Sequence, residues 1–303
     1  MTVSRPFSSR LSARATKTSS RVCLGIDPRP GASAYTDPGR LGGDRGAVAA
    51  AVARYFTAIL DASHDLIACC KPQSAFFEAL GLPGLQALEE VIAHARSLGV
   101  PVILDAKRGD IGSTAGAYAD AYLGDGPFAA DALTVNPYLG LDTLEPFIER
   151  ALANDRGVFV LVRTSNPGSA DLQGLELASG GSLHAHLAAR LAARAAALPR
   201  DGAGYTLLGA VVGASHGAEL GALREAMPAS WFLVPGYGAQ SGTAASASPA
   251  FDAAGNGAVV SASRSLTYAP GLREKSDLEA IAAGVRRRVL TMRAELNAAA
   301  TAG

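Results

Sequence analysis

Short apolar runs of strand length recur along this chain, longer helical patterns separate them, and polar residues gather where the runs end. These observations predict an α/β fold, a closed (β/α)8 TIM barrel in a single domain. The runs fall at residues 22–27, 66–71, 102–106, 132–136, 158–162, 208–213, 232–235 and 258–261. Each is nearly continuously apolar, as a parallel strand covered on both faces must be. The count of eight favours closure over an open doubly wound sheet. No composition break marks a second domain, and 303 residues suffice for one large core.

The intervening segments read as helices. Over 85–98, Leu85, Leu88, Val91, Ile92 and Ala95 form one apolar stripe, with Pro83 ahead of it and Gly99 behind it. "SDLE" at 276–279 predicts a capping box for the last helix, with Ser276 as N-cap and Glu279 reaching back. Residues 1–20, rich in Ser, Thr and Arg, lack the apolar middle of a secretory signal. They read as a disordered or loosely attached tail, which leaves 21–303 for the barrel. Residues 164–182 and 237–256 form long stretches of small residues, expected to be lids over the site or else disordered insertions.

Composition narrows the function. With 49% hydrophobic and 18% charged residues the chain is globular. Its 27 basic and 27 acidic residues cancel, so no overall field favours nucleic acid or an anionic membrane. An anionic ligand must then be gripped by a local site. No apolar stretch is long enough to cross a bilayer. Cys23, Cys69 and Cys70 lie in apolar runs and read as buried small hydrophobes of a reducing, cytoplasmic protein.

In a barrel the chemistry sits at the carboxyl ends of the strands. Those ends read "GIDPRP", "CCKPQSAFFE", "DAKRGD", "TVNPYLG", "VRTSNPGS", "VVGASHG", "VPGYGAQSG" and "SASRSL" in chain order. Only four of the 27 basic residues are lysines, and two of them, Lys71 and Lys107, occupy strand ends. Lysine offers a compact ammonium that can release its proton, which guanidinium effectively cannot. Asp105 and Lys107 are two apart on an extended segment and so share a face toward the mouth, with Lys71 projecting from the neighbouring strand. Such a set is either catalytic, its members shifting one another's pKa, or a structural ion-pair network across the barrel top.

A second constellation suits phosphate. "PGYGAQSG" supplies glycine amides and Gln240, and "SRS" supplies Arg264, at the two strand ends where barrels commonly hold phosphate. The alternative is a flexible Gly/Ser loop beside a surface arginine. His184 and His186 fall on different helix faces and so cannot share a metal, and no H-E-x-x-H, Walker A, dinucleotide or nucleophile-elbow motif is present in the sequence.

"DAKRGDIGSTA", with its Asp-x-Lys-x-x-Asp core, resembles the active-site signature of the orotidine 5′-phosphate decarboxylase family. "GIDPRP", "CKPQSAFFE", "VRTSNPG", "VVGASHGAEL", "PGYGAQSG" and "SRS" resemble further landmarks of its longer bacterial branch, in the same order, from about Val22 to the final helix. The short motif recurs in related barrels, so a metal-dependent sugar-phosphate decarboxylase or aldolase is the nearest alternative. A catalytically silent nucleotide-binding barrel is another. The resemblance implies cofactor-free conversion of orotidine 5′-phosphate to UMP and carbon dioxide. It implies Lys107 as proton donor, Asp105 beside the substrate carboxylate, and Lys71 paired with Asp105 and reaching the ribose. Asp27 would hold the ribose and Ser165 the pyrimidine. Pro235 joins the substrate contacts, while Gln240 and Arg264 take the phosphate. Asp110, with Ile111 and Thr114, would enter the site of the other subunit of a homodimer. Ser263 departs from the glycine that many relatives carry before the arginine.

Overall fold

The computed structural model describes residues 5–214, 217–238 and 242–301. The strands are β1 (Val22–Ile26), β2 (Cys69–Pro72), β3 (Ile103–Arg108) and β4 (Ala132–Val135), followed by β5 (Gly157–Arg163), β6 (Leu208–Val212), β7 (Phe232–Pro235) and β8 (Ala258–Ala262). All pair in parallel in the order β2-β1-β8-β7-β6-β5-β4-β3. Parallel bridges Cys70↔Val102 and Gln73↔Asp105 join β2 to β3 and close the barrel. The expected eight-stranded barrel is therefore the fold.

The helices are α1 (Phe7–Thr18), α2 (Arg45–Ser63), α3 (Ser74–Glu78), α4 (Leu82–Ser97), α5 (Gly112–Leu123) and α6 (Glu145–Ala153). They continue as α7 (Leu183–Ala196), α8 (Gly217–Ala226), α9 (Ala244–Ala247), α10 (Arg264–Thr267) and α11 (Leu278–Thr301). Among the described residues no helix is long and apolar enough to cross a membrane.

Strand neighbours alternate between two apolar clusters, as the two-residue period of a strand requires. Cys23, Cys69, Ile103, Phe159, Val211, Leu233 and Val259 fill one cluster, inside the barrel. Leu24, Cys70, Leu104, Val158, Val160 and Val260 belong to the other, against the helices. The adjacent Cys69 and Cys70 thus belong to different layers. All three cysteines are free and buried, and burial pushes the Cys69 and Cys70 thiols well up.

Of the stretch expected to be a loose tail, the described residues 5–20 are not one. Phe7, Leu11 and Ala15, at i, i+4 and i+8 of α1, are buried in the inner cluster and seal the amino-terminal end of the barrel. The Phe7 ring meets Phe159 edge-on at 5.9 Å. It fits because β5 begins with glycine: a Cβ on Gly157 would stand 2.3 Å from Phe7 Cδ1. Polar residues around this three-residue stripe hide it from a reading by composition.

Two helix starts also move. α4 begins at Leu82, with Pro83 in its first turn where no amide partner is needed, and Leu85 is only half-buried. The last helix is capped one residue later than expected. Asp277, not Ser276, accepts from the amides of Glu279 at 3.1 Å and Ala280 at 3.3 Å. A carboxylate there satisfies two amides at once, one with each oxygen.

Candidate active site

A cavity of about 490 Å³ opens at the carboxyl ends of the strands, floored by Leu161, Val211 and Leu233. Asp105, 7% exposed, stands in its wall and receives four donors. Lys71 Nζ at 2.8 Å and Gln73 Nε2 at 3.0 Å donate to Oδ2. Lys107 Nζ at 2.5 Å and Thr134 Oγ1 at 3.0 Å donate to Oδ1. Burial would push the Asp105 carboxyl up, but the Lys71 and Lys107 ammonium groups hold it well below the usual carboxylate range. Burial would likewise push Lys71 down, yet Asp105 and Asp27 hold it above the usual lysine value. The set is an alternating cation–anion–cation chain with its carboxylate fixed in the ionised form.

Regular strand geometry does not bring Lys107 to this place. The register of β3 against β4 shifts between Leu104 and Arg108, and Lys107 has φ +48°, a left-handed conformation that costs an L residue roughly 1–2 kcal/mol. The wholly buried Thr134 compensates: its hydroxyl accepts from the Lys107 amide at 3.0 Å while donating to Asp105. Gln73, two residues beyond Lys71, shares its side of the strand end, a signal readable in the sequence. Thr134 was signalled only by a polar residue inside an apolar run, and Gln173 by nothing local.

Gln173 belongs to the 164–182 segment, which is ordered around it. Its Oε1 accepts from the Thr164 amide at 2.8 Å and its carbonyl accepts from the His184 amide at 3.0 Å. Arg163 anchors the same segment through Ser169 at 2.8 Å and is itself held by Glu219 of α8 at 2.6 Å. Thr164, Ser165, Asn166 and Gln173 consequently form one wall of the cavity.

Asp27, Pro235, Ser263 and Arg264 line the remainder. Asp27 Oδ1 and Ser263 Oγ are buried without a hydrogen-bond partner among the described residues, an arrangement that ordinarily signals a polar ligand or water. Ser263 faces β1, its Cβ only 2.7 Å from where a Cβ on Gly25 would lie, so glycine at 25 makes room for it. Of the expected site residues, Asp27, Lys71, Asp105, Lys107, Ser165, Pro235 and Arg264 meet in this cavity. Asp110, Ile111 and Thr114 do not line it. Asp110 Oδ1 accepts from the Ile111 amide at 2.8 Å, Ile111 is 62% exposed, and Thr114 is exposed at the start of α5. Gln240 lies outside the described residues. Among the described residues no group of three or more His, Cys, Asp or Glu is placed to hold a metal ion.

Fold and site together define a (β/α)8 barrel whose mouth sets two ammonium groups on one buried carboxylate. Comparison with known proteins identifies which such barrel. The chain belongs to the orotidine 5′-phosphate decarboxylase / HUMPS family, whose model matches residues 20–278. It is 45% identical over 298 residues to the orotidine 5′-phosphate decarboxylase of Deinococcus radiodurans, covering 97% of each chain. It is 45% identical over 274 residues to that of Rhodopirellula baltica, covering 87% of this chain and 88% of the other. The structure of Leishmania donovani OMP decarboxylase superposes with a TM-score of 0.72 at 34% identity, covering 95% of this chain and 98% of that one.

Proposed function

We propose that this chain is a carboxy-lyase that converts orotidine 5′-phosphate to UMP and carbon dioxide, the last step of UMP biosynthesis, in the cytoplasm. The observation that carries the reading is the Lys71–Asp105–Lys107 chain at the edge of a cavity of nucleotide size. The carbon–carbon bond to the carboxylate breaks, carbon dioxide leaves, and the electron pair stays on the ring carbon. That pair lies in the ring plane, where the π-system does not delocalise it, so a fixed positive charge must stabilise it. The Lys107 ammonium supplies the charge and then gives its proton to the same carbon, and solvent restores it. Lys71 keeps Asp105 ionised and in place. The charge of Asp105 beside the substrate carboxylate opposes the ground state more than the transition state, one reading of such pairs.

Asp27 and Lys71 bind the ribose, Ser165 and Pro235 the pyrimidine, and Gln240 and Arg264 the phosphate. The buried, unpartnered Asp27 Oδ1 supports the first assignment, and the position of Arg264 on the cavity wall the last. Phosphate contacts remote from the reacting carbon draw the 164–182 and 237–256 loops closed over the substrate. Asp110, Ile111 and Thr114 act in the site of the other subunit of a homodimer. The exposure of Ile111 (62%), Tyr138 (76%) and Leu139 (52%) supports an apolar interface there. The test is loss of orotidine 5′-phosphate absorbance with and without chelator. Turnover untouched by chelator is expected, and absence of turnover in the intact protein overturns the reading. Mixing inactive Lys107→Ala and Asp110→Ala chains tests the shared site. With random exchange about half the dimers are mixed, and each has one intact site, so about a quarter of all sites regain activity. No recovery after confirmed exchange places Asp110 within its own chain's chemistry.

A further inference from the structure

The sealed end of the barrel carries a second cavity, of about 450 Å³, between α1, the end of α4 and the approach to β3. Its wall presents Arg5, Arg10, Arg14, Lys17 and Arg96 against a single acid, Asp131. That excess stands out in a chain whose charges otherwise cancel. Arg10, Arg14 and Lys17 recur at i, i+4 and i+7 and so share one side of α1, next to the stripe that plugs the barrel. Arg96 comes from the last turn of α4.

Asp131 is already engaged. Its Oδ1 accepts from Arg10 at 2.6 Å and Arg156 at 3.3 Å, and its Oδ2 from the Val102 amide at 2.9 Å. Arg5, Arg14, Lys17 and Arg96 form no ion pair among the described residues. Arg14 is the informative one. It is only 9% exposed, its Nε donates to the Ile67 carbonyl at 3.3 Å and its Nη2 to that of His64. Its Nη1 has no hydrogen-bond partner among the described residues, and the side chain lines the cavity. Burial pushes the Arg14 guanidinium pKa down, Asp65, itself paired with Arg286, offsets only part of that, and Nη1 is left open to the cavity, where an anion would meet it. Leu98, Val100 and Pro101 add an apolar wall to the same cavity.

We propose that this cavity is an anion site, distinct from the mouth, that takes a di- or triphosphate group, free or carried by a nucleoside. One phosphate would leave most of the cations unmatched, whereas a polyphosphate chain offers each arginine a pair of oxygens. A nucleoside would lie on the apolar wall.

Calorimetric titration of inorganic tripolyphosphate and of UTP into the full chain, at about 0.15 M salt to suppress diffuse attraction, tests this. Both ligands bind, and a Lys17→Ala/Arg96→Ala double variant loses at least about tenfold in affinity while keeping its melting temperature and its turnover of orotidine 5′-phosphate. Neither side chain has an ion partner among the described residues, so their removal strands no carboxylate there. Equal binding of the two ligands assigns the site to the phosphates alone, and tighter UTP assigns it to a nucleotide. Arg264→Ala leaves tripolyphosphate binding unchanged if the ligand sits at the sealed end. Loss of binding in Arg264→Ala, unchanged binding in the double variant, or binding only of long polyanions such as heparin overturns the proposal.

Discussion

Replacing Thr134 by valine tests how Lys107 is held. The side chain keeps its volume but loses the hydroxyl that accepts from the Lys107 amide and donates to Asp105, each at 3.0 Å. Thr134 is wholly buried, so water does not replace it. Leaving a buried amide unsatisfied costs about 1–3 kcal/mol, and a hydrogen bond to a charged group contributes about 1.5–3 kcal/mol. Asp105 keeps three other donors and recovers part of its loss, so about 2–4 kcal/mol is expected overall. For a chain this long that corresponds to a fall in melting temperature of roughly 3–6 °C. The left-handed turn at Lys107 loses its anchor at the same time, and displacement of a reacting group by about 1 Å costs on the order of 100-fold in rate. The fall should appear in kcat rather than KM, because no substrate contact is removed. Thr134→Ser restores the hydroxyl and should recover most of both losses. Thermal melts and steady-state kinetics on the pair decide it. If valine retains the melting temperature and kcat of the parent, or serine is as damaging as valine, Thr134 does not position Lys107.

Four further outcomes are expected. Lys107→Arg keeps a positive charge but lacks a transferable proton, and kcat should fall by roughly 10²–10⁴-fold or more in steady-state assays. Arg264→Ala should weaken use of the nucleotide by about 2–5 kcal/mol in kcat/KM while leaving the feeble reaction of the phosphate-free nucleoside unchanged. Phe7→Ala should destabilise by about 3–5 kcal/mol in denaturant melts, the usual range for emptying a buried aromatic site. For pH, the depressed Asp105 contributes stability that is full above its unfolded pKa of about 3.9 and is lost as pH falls toward the folded value. The raised Lys71 contributes stability that is full below its unfolded pKa of about 10.4 and is lost as pH rises toward the folded value. The pair is therefore intact from about pH 5 to 9. Lys71→Met should lower the melting temperature by a near-constant amount across that window. A difference that varies steeply inside it would mean the pair titrates there.

The barrel was legible because each strand is apolar on both faces and so stands out against its amphipathic neighbours. Strand ends were less so: β3 runs on through Lys107 and Arg108 because backbone pairing with β4 continues past the charged side chains. The Lys71–Asp105–Lys107 set could be read from spacing, yet the left-handed turn at Lys107 could not, since its cause, Thr134, lies 27 residues away. Gln173 reaches the cavity only through the course of a loop. Asp110 shows the limit in the other direction. Its closeness to Asp105 and Lys107 in sequence does not bring it into their cavity within one chain, because the chain turns at Gly109, packed tightly against Asn136, before α5 begins.

The seal made by α1 also sets an order of events during synthesis. Phe7 and Leu11 are made about 150 and 220 residues before Phe159 and Trp231 of the same cluster. At roughly 5–20 residues per second, α1 therefore waits between about 8 and 45 seconds for the surfaces it will cover. Throughout that interval its apolar stripe lacks the aromatic partners that cover it in the folded barrel. Helix α1 thus completes its packing only after strands made long after it are in place.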